Sequence, residues 1–174
     1  MKNFYLVTLI LILFFCTGFS NSVVDISVSY QPNVDRLEEI FKAYLPLNKN
    51  DITFTKVPRG LIVSINEECF FNERIKESSL CVLDTIIMLL QKLPNYCVVE
   101  DHTEENSYYD ENWELSLARS ANIVEYMITC GKLPASQLFS LGYGQYMPFR
   151  DNVAPKNGMN NRIDFVILEY EAKR

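Results

Sequence analysis

The chain has 174 residues, of which 48% are hydrophobic and 22% charged, a composition typical of one globular domain with short additional segments. Its formal net charge of -6 at pH 7 argues against nucleic-acid binding through neutralisation of phosphates. An acidic chain can still bind an anionic glycan, but recognition then depends on local geometry.

The N-terminus has the features of an export signal. Lys2 precedes an apolar run over residues 4–15, and small residues ending at Ser20 suit cleavage before Asn21. The run is short compared with the roughly 20 residues that span a bilayer, so export is expected rather than a retained anchor. It also holds no acidic residue, so a proton-channel role has no support in it. The sequence therefore predicts a signal peptide over residues 1–20.

Cys16 offers a second interpretation of this segment. A lipoprotein signal ends at the cysteine that becomes lipidated, and the position of Cys16 suits such a signal. Phe14 and Phe15 are bulkier than the residues usual before a lipidated cysteine, so ordinary cleavage is favoured and lipidation of Cys16 is the alternative. Both interpretations place the mature chain outside the cytoplasm.

Residues 21–59 are predicted to form a partly folded N-terminal extension, beginning with an extended or flexible lead-in. Apolar residues recur at helical spacing over residues 34–44, and Pro46 ends this predicted helix. Residues 51–57 alternate as a strand does. The main domain is then expected over residues 60–174.

The main domain shows the order strand, helix, strand, helix, strand, strand. The strands are predicted over residues 61–66, 96–100, 138–142 and 162–169, and the helices over residues 76–93 and 112–129. In the second helix, apolar residues at spacings of three or four are predicted to face the core: Trp113, Leu117, Ala121, Val124 and Met127. This order predicts an α+β fold, a βαβαββ sandwich with two main helices packed on a small mixed sheet.

Four cysteines follow the signal segment: Cys69, Cys81, Cys97 and Cys130. An even number in an exported domain permits disulfides, and pairing Cys69 with Cys81 and Cys97 with Cys130 would join each strand to the helix that follows it. The alternative is four buried, unpaired cysteines. Because no C-x-x-C pair occurs and the chain has one histidine, no metal site is expected.

Several ordered motifs lie between residues 101 and 164. They read DHTEENS, NWELSLARS, LGYGQYMPFRDN and NGMNNRIDF. This series resembles the OmpA-like domain, also found in Pal-type lipoproteins and MotB-type stators, whose pattern is roughly GHTD, N..LS..RA, GyG...P...N and NRRVei. The resemblance covers about residues 60–170. It implies a non-catalytic peptidoglycan-binding module of the bacterial envelope, located in the periplasm and associated with the outer membrane.

The resemblance also implies a ligand site. The family is known for binding the diaminopimelate of the peptide stem, whose side chain ends in an ammonium and a carboxylate. The ammonium-binding aspartate of the family falls on Glu104 and the carboxylate-binding arginine on Arg119, while Asn112 and Arg162 take the asparagine and last-arginine positions of the motifs. A carboxylate and a bidentate guanidinium held close together suit such a zwitterion.

Two residues depart from the family pattern in the ammonium half of the site. The side chain of Glu104 is one methylene longer than that of aspartate. This shifts the carboxylate by more than the roughly 0.5 Å that a preorganised site tolerates. Asp101 replaces the glycine before the histidine, which adds an acid and removes a residue that tolerates positive φ. Binding of the ligand is therefore expected to depend on how this loop is built.

Each of these residues also has a simpler interpretation. Arg119 and Glu104 can form a surface ion pair worth about 0 to 1 kcal/mol. His102 is expected to be a hydrogen-bonding loop residue rather than a catalyst. The acidic residues of the loop fit a solvated charge run better than a glycosidase pair: Glu104, Glu105, Asp110 and Glu111.

Three functions are compatible with the sequence. The first is a wall-binding module that anchors an outer-membrane or envelope assembly to peptidoglycan, without cofactor or nucleic acid. The second is a structural subunit of an envelope-spanning machine, such as a secretion-system core, whose degenerate OmpA-like domain contacts other envelope proteins. The third, a wall hydrolase, is the least favoured. Membrane association is expected only through a lipid on Cys16.

Overall fold

A computed structural model describes residues 33–48, 50–71, 74–104, 112–149 and 160–171. The predicted signal segment, Cys16 and the predicted lead-in lie outside these residues. In order along the described chain, the elements are α1 (Val34–Tyr44), β1 (Ile52–Val57), β2 (Gly60–Asn66), α2 (Leu80–Lys92), β3 (Asn95–His102), α3 (Asn112–Thr129), β4 (Leu138–Gly144) and β5 (Arg162–Glu171). Short 3-10 turns lie at Glu67–Cys69, Glu77–Ser79 and Ala135–Gln137.

The strands form one mixed sheet in the order β1-β2-β5-β3-β4. Strands β3 and β4 are parallel, and the other neighbours are antiparallel. This confirms the predicted α+β fold with two main helices, α2 and α3, and an N-terminal helix and strand. Element ends differ from the prediction by a few residues, because capping and pairing rather than periodicity decide where an element stops.

The core lies between the helices and one face of the sheet. On β2 the alternating residues Leu61, Val63 and Ile65 are fully buried. Helix α1 adds Leu37 and Phe41 to the same core. Residues 33–57 thus pack on the same sheet and core as the rest of the described chain.

The predicted buried face of α3 is wrong from its start as far as Ala121, which is also exposed. Trp113 is 51% exposed and Leu117 is 36% exposed, whereas Ser116 and Ser120 are fully buried. The cause is Gly142 on β4, where an added Cβ would lie 2.2 Å from the backbone nitrogen of Leu117. The helix backbone approaches the strand so closely that only small side chains fit between them.

The cysteines also differ from the disulfide prediction, because all four are free in the structure. Cys97 is fully buried on β3, and Cys69 is half-buried. Cys81 and Cys130 are exposed, so the alternative of four buried cysteines holds for only part of the set. A core-facing thiol on β3 and an exposed thiol just beyond the end of α3 lie in different surroundings.

Within the described residues, none of the helices combines the length and the apolar composition needed to cross a lipid bilayer.

Candidate functional site

The predicted ligand residues gather around the end of β3. Glu104 follows this strand by two residues, and Asn112 and Arg119 lie on the first two turns of α3. Arg162 begins β5 and pairs with His102 across the sheet. Residues 105–111 and 150–159, which adjoin this end of the sheet in sequence, lie outside the described part of the chain.

Glu104 is held by three asparagines. Its backbone N–H donates to Asn161 Oδ1 at 2.5 Å, and its carboxylate accepts from Asn160 at 3.0 Å. Its carbonyl accepts from Asn112 Nδ2 at 3.3 Å. The same amide of Asn112 donates to Gln145 Oε1 at 3.0 Å. Glu104 is exposed, so these contacts orient a solvent-accessible carboxylate.

Arg119 contacts a different acid from the one predicted. Its guanidinium lies 2.6 Å from the carboxylate of Glu67, just after β2, and over the ring of Phe71 at 5.4 Å. The side chains of Arg119 and Glu67 are 18% and 15% exposed, so the pair is mostly buried but still reaches the surface. Burial raises the pKa of the Glu67 carboxyl, and the nearby Arg119 opposes that rise. In the described part of the chain no salt bridge joins Arg119 to Glu104.

Asp101 is fully buried on the helix side of the sheet. Among the described residues, neither of its carboxylate oxygens has a hydrogen-bond partner, and the hydroxyl of Thr103, two residues further along, also lacks one. Burial, reinforced by Glu67 and offset by Arg119, raises the pKa of Asp101 from its ordinary value of 3.8 to about 8. The residue that replaces the glycine of the family motif is therefore a buried acid close to the Glu67–Arg119 pair.

Arg162 belongs to the opposite face of the sheet. Its Nε donates to Asp164 at 3.1 Å, its Nη2 donates to the carbonyl of Met147 at 3.3 Å, and its guanidinium lies 5.2 Å from the ring centre of Phe149. The sheet thus separates Arg162 from Arg119. Of the four predicted residues, the structure joins Glu104 with Asn112 and places Arg119 and Arg162 in separate ion pairs.

His102 lies in a buried charge network on the Arg162 side of the sheet. Its ring stacks on Tyr143, its Nδ1 is 3.1 Å from the carbonyl of Met147, and its Nε2 is 3.3 Å from Asp164 Oδ2. Arg59 donates to both oxygens of the buried Glu100, each at 3.0 Å. His102 is therefore a buried strand residue and not the loop residue predicted.

Glu100, His102 and Asp164 also have a geometry that could hold a metal ion, with ligand atoms within 4.8 Å of one another. Both oxygens of Glu100, however, are occupied by Arg59, and Asp164 is paired with Arg162. Since each carboxylate already faces a guanidinium, a metal would have to displace these ion pairs. The arrangement fits a charge network that joins the strands better than it fits a metal centre.

Two residues at the site were missed by reasoning from the sequence alone. Glu67 lies 52 positions before Arg119 and belongs to no motif, so only the antiparallel pairing of β2 with β5 brings it to this end of the sheet. Asp101 departs from the family motif, but the motif does not indicate that this residue is buried. The signal for burial was its position two residues after the core residue Val99 on a strand.

Comparison with known proteins defines the class. The OmpA family matches residues 72–162, slightly over half of the 174 residues. The chain therefore belongs to the OmpA family.

The chain is also similar to two individual proteins. The chain is 29% identical over 143 residues to the uncharacterized protein YtxE of Bacillus subtilis, covering 76% of this chain and 59% of that protein. It is 30% identical over 118 residues to Motility protein B of the same organism, covering 63% and 45%. The chain thus spans less than two thirds of the length of these two relatives.

A solved structure of similar fold is the cell wall anchor of the T6SS from Pseudomonas aeruginosa. It superposes with a TM-score of 0.60 at 18% identity, covering 80% of this chain and 99% of that one. At this identity the likeness concerns the fold.

Proposed function

We propose that this chain binds peptidoglycan through the diaminopimelate of the peptide stem and anchors an envelope assembly to the cell wall. The observation that carries the proposal is membership of the OmpA family over a segment that contains Glu104, Asn112, Arg119 and Arg162. The similar fold of a protein described as a cell wall anchor supports the same function. In this proposal the chain is a binding protein without catalysis.

The contacts of Glu104 support a role in binding an ammonium. Its exposed carboxylate is oriented by Asn160, and its backbone is fixed by Asn161 and Asn112. A carboxylate held in this way can accept hydrogen bonds from an ammonium without first losing much side-chain freedom. Arg119, half-buried on α3, would bind the carboxyl end of the ligand.

The proposal places the mature chain in the periplasm, on the wall side of the outer membrane. It includes a signal peptide over residues 1–20, an N-terminal extension over residues 21–59 and a wall-binding domain over residues 60–174. Mass spectrometry of the mature N-terminus tests the first part: a free Asn21 is expected, and an acylated Cys16 would establish the lipoprotein alternative.

Co-sedimentation with purified sacculi tests the binding function. Wild type is expected to sediment with the wall, and Arg119→Ala to remain largely in the supernatant. Arg36→Ala serves as a matched control, because Arg36 is an exposed arginine on α1. Circular dichroism of each variant excludes loss of fold. Equal sedimentation of wild type and Arg119→Ala would contradict the proposed role of Arg119.

The length of Glu104 can be tested in the same assay. Glu104→Asp restores the shorter acid of the family motif, so we expect it to bind sacculi more tightly than wild type. Unchanged or weaker binding would mean that the asparagines have positioned the longer side chain for the ligand.

A second candidate is a structural subunit of an envelope machine in which the domain contacts protein instead of wall. The 2.6 Å contact between Arg119 and Glu67 favours it, because the guanidinium already has an anionic partner. The same sedimentation experiment separates the two: wild type that fails to bind sacculi but copurifies with envelope proteins would support the second candidate.

A further inference from the structure

We infer that this site selects peptide stems whose diaminopimelate side chain ends in a carboxamide over stems that carry the free carboxylate. The inference rests on the proposed function and names the ligand class within it. It depends on three features of the site: the partner that Arg119 already has, the surplus of acids around it, and two buried polar groups without partners.

The first feature is the ion pair of Arg119. The guanidinium lies 2.6 Å from Glu67, which supplies the negative charge that a ligand carboxylate would otherwise bring. A free carboxylate entering here must either displace Glu67 or share Arg119 with it. Both cost free energy, because two carboxylates held close together repel each other.

The second feature is the number of acids. Glu67, Asp101 and Glu104 surround this end of the sheet, and Arg119 is the guanidinium on their side. Asp164 raises the pKa of Asp101 and Arg162 lowers it, and these two residues are paired with each other at 3.1 Å. Among the described residues, the acids on this side of the sheet thus outnumber the guanidinium that could receive an anion.

The third feature is the pair of unpartnered groups. Among the described residues, neither oxygen of Asp101 on β3 nor the hydroxyl of Thr103, just after β3, has a hydrogen-bond partner, and all three atoms are buried. Because Asp101 is fully buried, it acts on a ligand at Arg119 through its charge and not through direct contact.

A carboxamide is compatible with all three features. Its nitrogen can donate to the partly exposed oxygens of Glu67, and its oxygen can accept a hydrogen bond from Arg119. It adds no negative charge beside Glu67. An ionised carboxylate has no donor to offer these oxygens. The ammonium of the same ligand is left to Glu104 in either case.

The protonation of Asp101 sharpens the expected selectivity. The pKa of Asp101 is raised to about 8, so this acid is mostly neutral at pH 7 and ionises above pH 8. Its ionisation adds a negative charge near Glu67 and Arg119. The affinity for a free-carboxylate stem should therefore fall as the pH rises through 8, while that for the carboxamide stem should change less.

Calorimetric titration with two soluble muropeptides tests the inference. Both are disaccharide tripeptides with diaminopimelate, one with the side-chain carboxyl free and one with it amidated. Wild type is expected to bind the amidated form at least tenfold more tightly at pH 8.5. Glu67→Gln, which releases Arg119 from its anionic partner, should remove most of this preference. Glu68→Gln is the matched control, because Glu68 is the exposed neighbour of Glu67.

The outcomes are distinguishable. Equal affinities for the two muropeptides, or tighter binding of the free acid, would overturn the inference and leave the proposed wall-binding function standing. An unchanged preference in Glu67→Gln would overturn the role of Glu67. Binding of neither muropeptide by folded wild type would overturn the proposed function itself.

Discussion

Gly142 of β4 lies directly against the backbone of Leu117 on α3. An added Cβ at this glycine would fall 2.2 Å from the Leu117 nitrogen and 2.6 Å from Ser116 Oγ. The helix that carries Asn112 and Arg119 can therefore pack closely on the sheet because Gly142 has no side chain. The position of the candidate site depends on this close approach.

The first prediction follows from that contact. Gly142→Ala should lower the free energy of unfolding by about 1–3 kcal/mol, because the methyl group meets backbone atoms that cannot move aside. Urea denaturation measures the loss. Ser140→Ala, two residues earlier on the same strand, is the control and should change stability by less than about 0.5 kcal/mol. Equal stabilities of the two variants would contradict the close packing of α3 on β4.

Trp113 provides a second test of the same helix. It is the one tryptophan of the chain and is 51% exposed, although its spacing predicted a core position. Native fluorescence should therefore be quenched readily by the neutral quencher acrylamide. Trp113→Ala should also cost much less stability than Met127→Ala, whose side chain is fully buried and whose loss should cost about 2–5 kcal/mol. Native fluorescence that resists acrylamide would show that Trp113 is covered.

The contrast between these helix residues shows what the sequence can and cannot predict. The bounds of α3 agree with its periodic pattern, but its buried face does not. Near Gly142 of β4, buried serines occupy the face of the helix where apolar residues were expected. Hydrophobic spacing identifies Leu61 and Leu83 as core residues, since both are apolar and fully buried. It does not reveal a helix held by close backbone contact.

The same distinction applies to the site. The motifs locate Glu104 and Arg119, because each is defined by its neighbours in sequence. The contact between Arg119 and Glu67 depends on strand pairing between distant segments, which no local pattern contains. The burial of Asp101 was predictable in part, from its alternation with Val99 along β3.

Thiol reactivity forms the third prediction. With all four cysteines free, the exposed Cys81 and Cys130 should react rapidly with Ellman's reagent in the folded protein. Cys97 should react only after unfolding, because it is fully buried and burial raises the pKa of its thiol far above the ordinary value. Non-reducing peptide mapping checks the result. Peptides joined through Cys69 and Cys81 would instead establish the disulfide alternative.

The Arg59–Glu100 pair gives the fourth prediction. Glu100 is 3% exposed and both its oxygens accept from Arg59, whose own side chain is 44% exposed. Arg59→Met should cost about 1–3 kcal/mol, less than for a fully buried pair because water reaches the arginine. Adding Glu100→Gln should recover part of the loss. Urea denaturation of the double-mutant cycle measures the coupling.

An exposed ion pair serves as the control for this cycle. Lys56 contacts Asp35 at 2.6 Å and Glu38 at 2.9 Å, but its own side chain is 49% exposed, so Lys56→Met should change stability by about 1 kcal/mol at most. A loss in Lys56→Met as large as that in Arg59→Met would show that burial of Glu100 is not the cause.

The last prediction concerns the pH dependence of stability set by Asp101. Its pKa is about 8 in the folded chain and near 3.8 when unfolded, so between these values the folded state holds a proton that the unfolded state has released. The free energy of unfolding should therefore be highest at the acid end of this window and fall as the pH rises towards 8, by at most about 1.4 kcal/mol per pH unit. Above pH 8 the contribution of Asp101 is lost.

Asp101→Asn isolates this contribution, because asparagine has nearly the same shape and does not ionise. Its stability profile, measured by urea denaturation from pH 5 to pH 9, should lack the part of the slope that wild type shows and should be the more favourable of the two at pH 9. Glu67 also has a raised pKa, but it is present in both proteins, so only its coulombic interaction with Asp101 remains in the difference. Parallel profiles would mean that Asp101 titrates near its ordinary pKa, and the carboxyl would then be ionised at neutral pH.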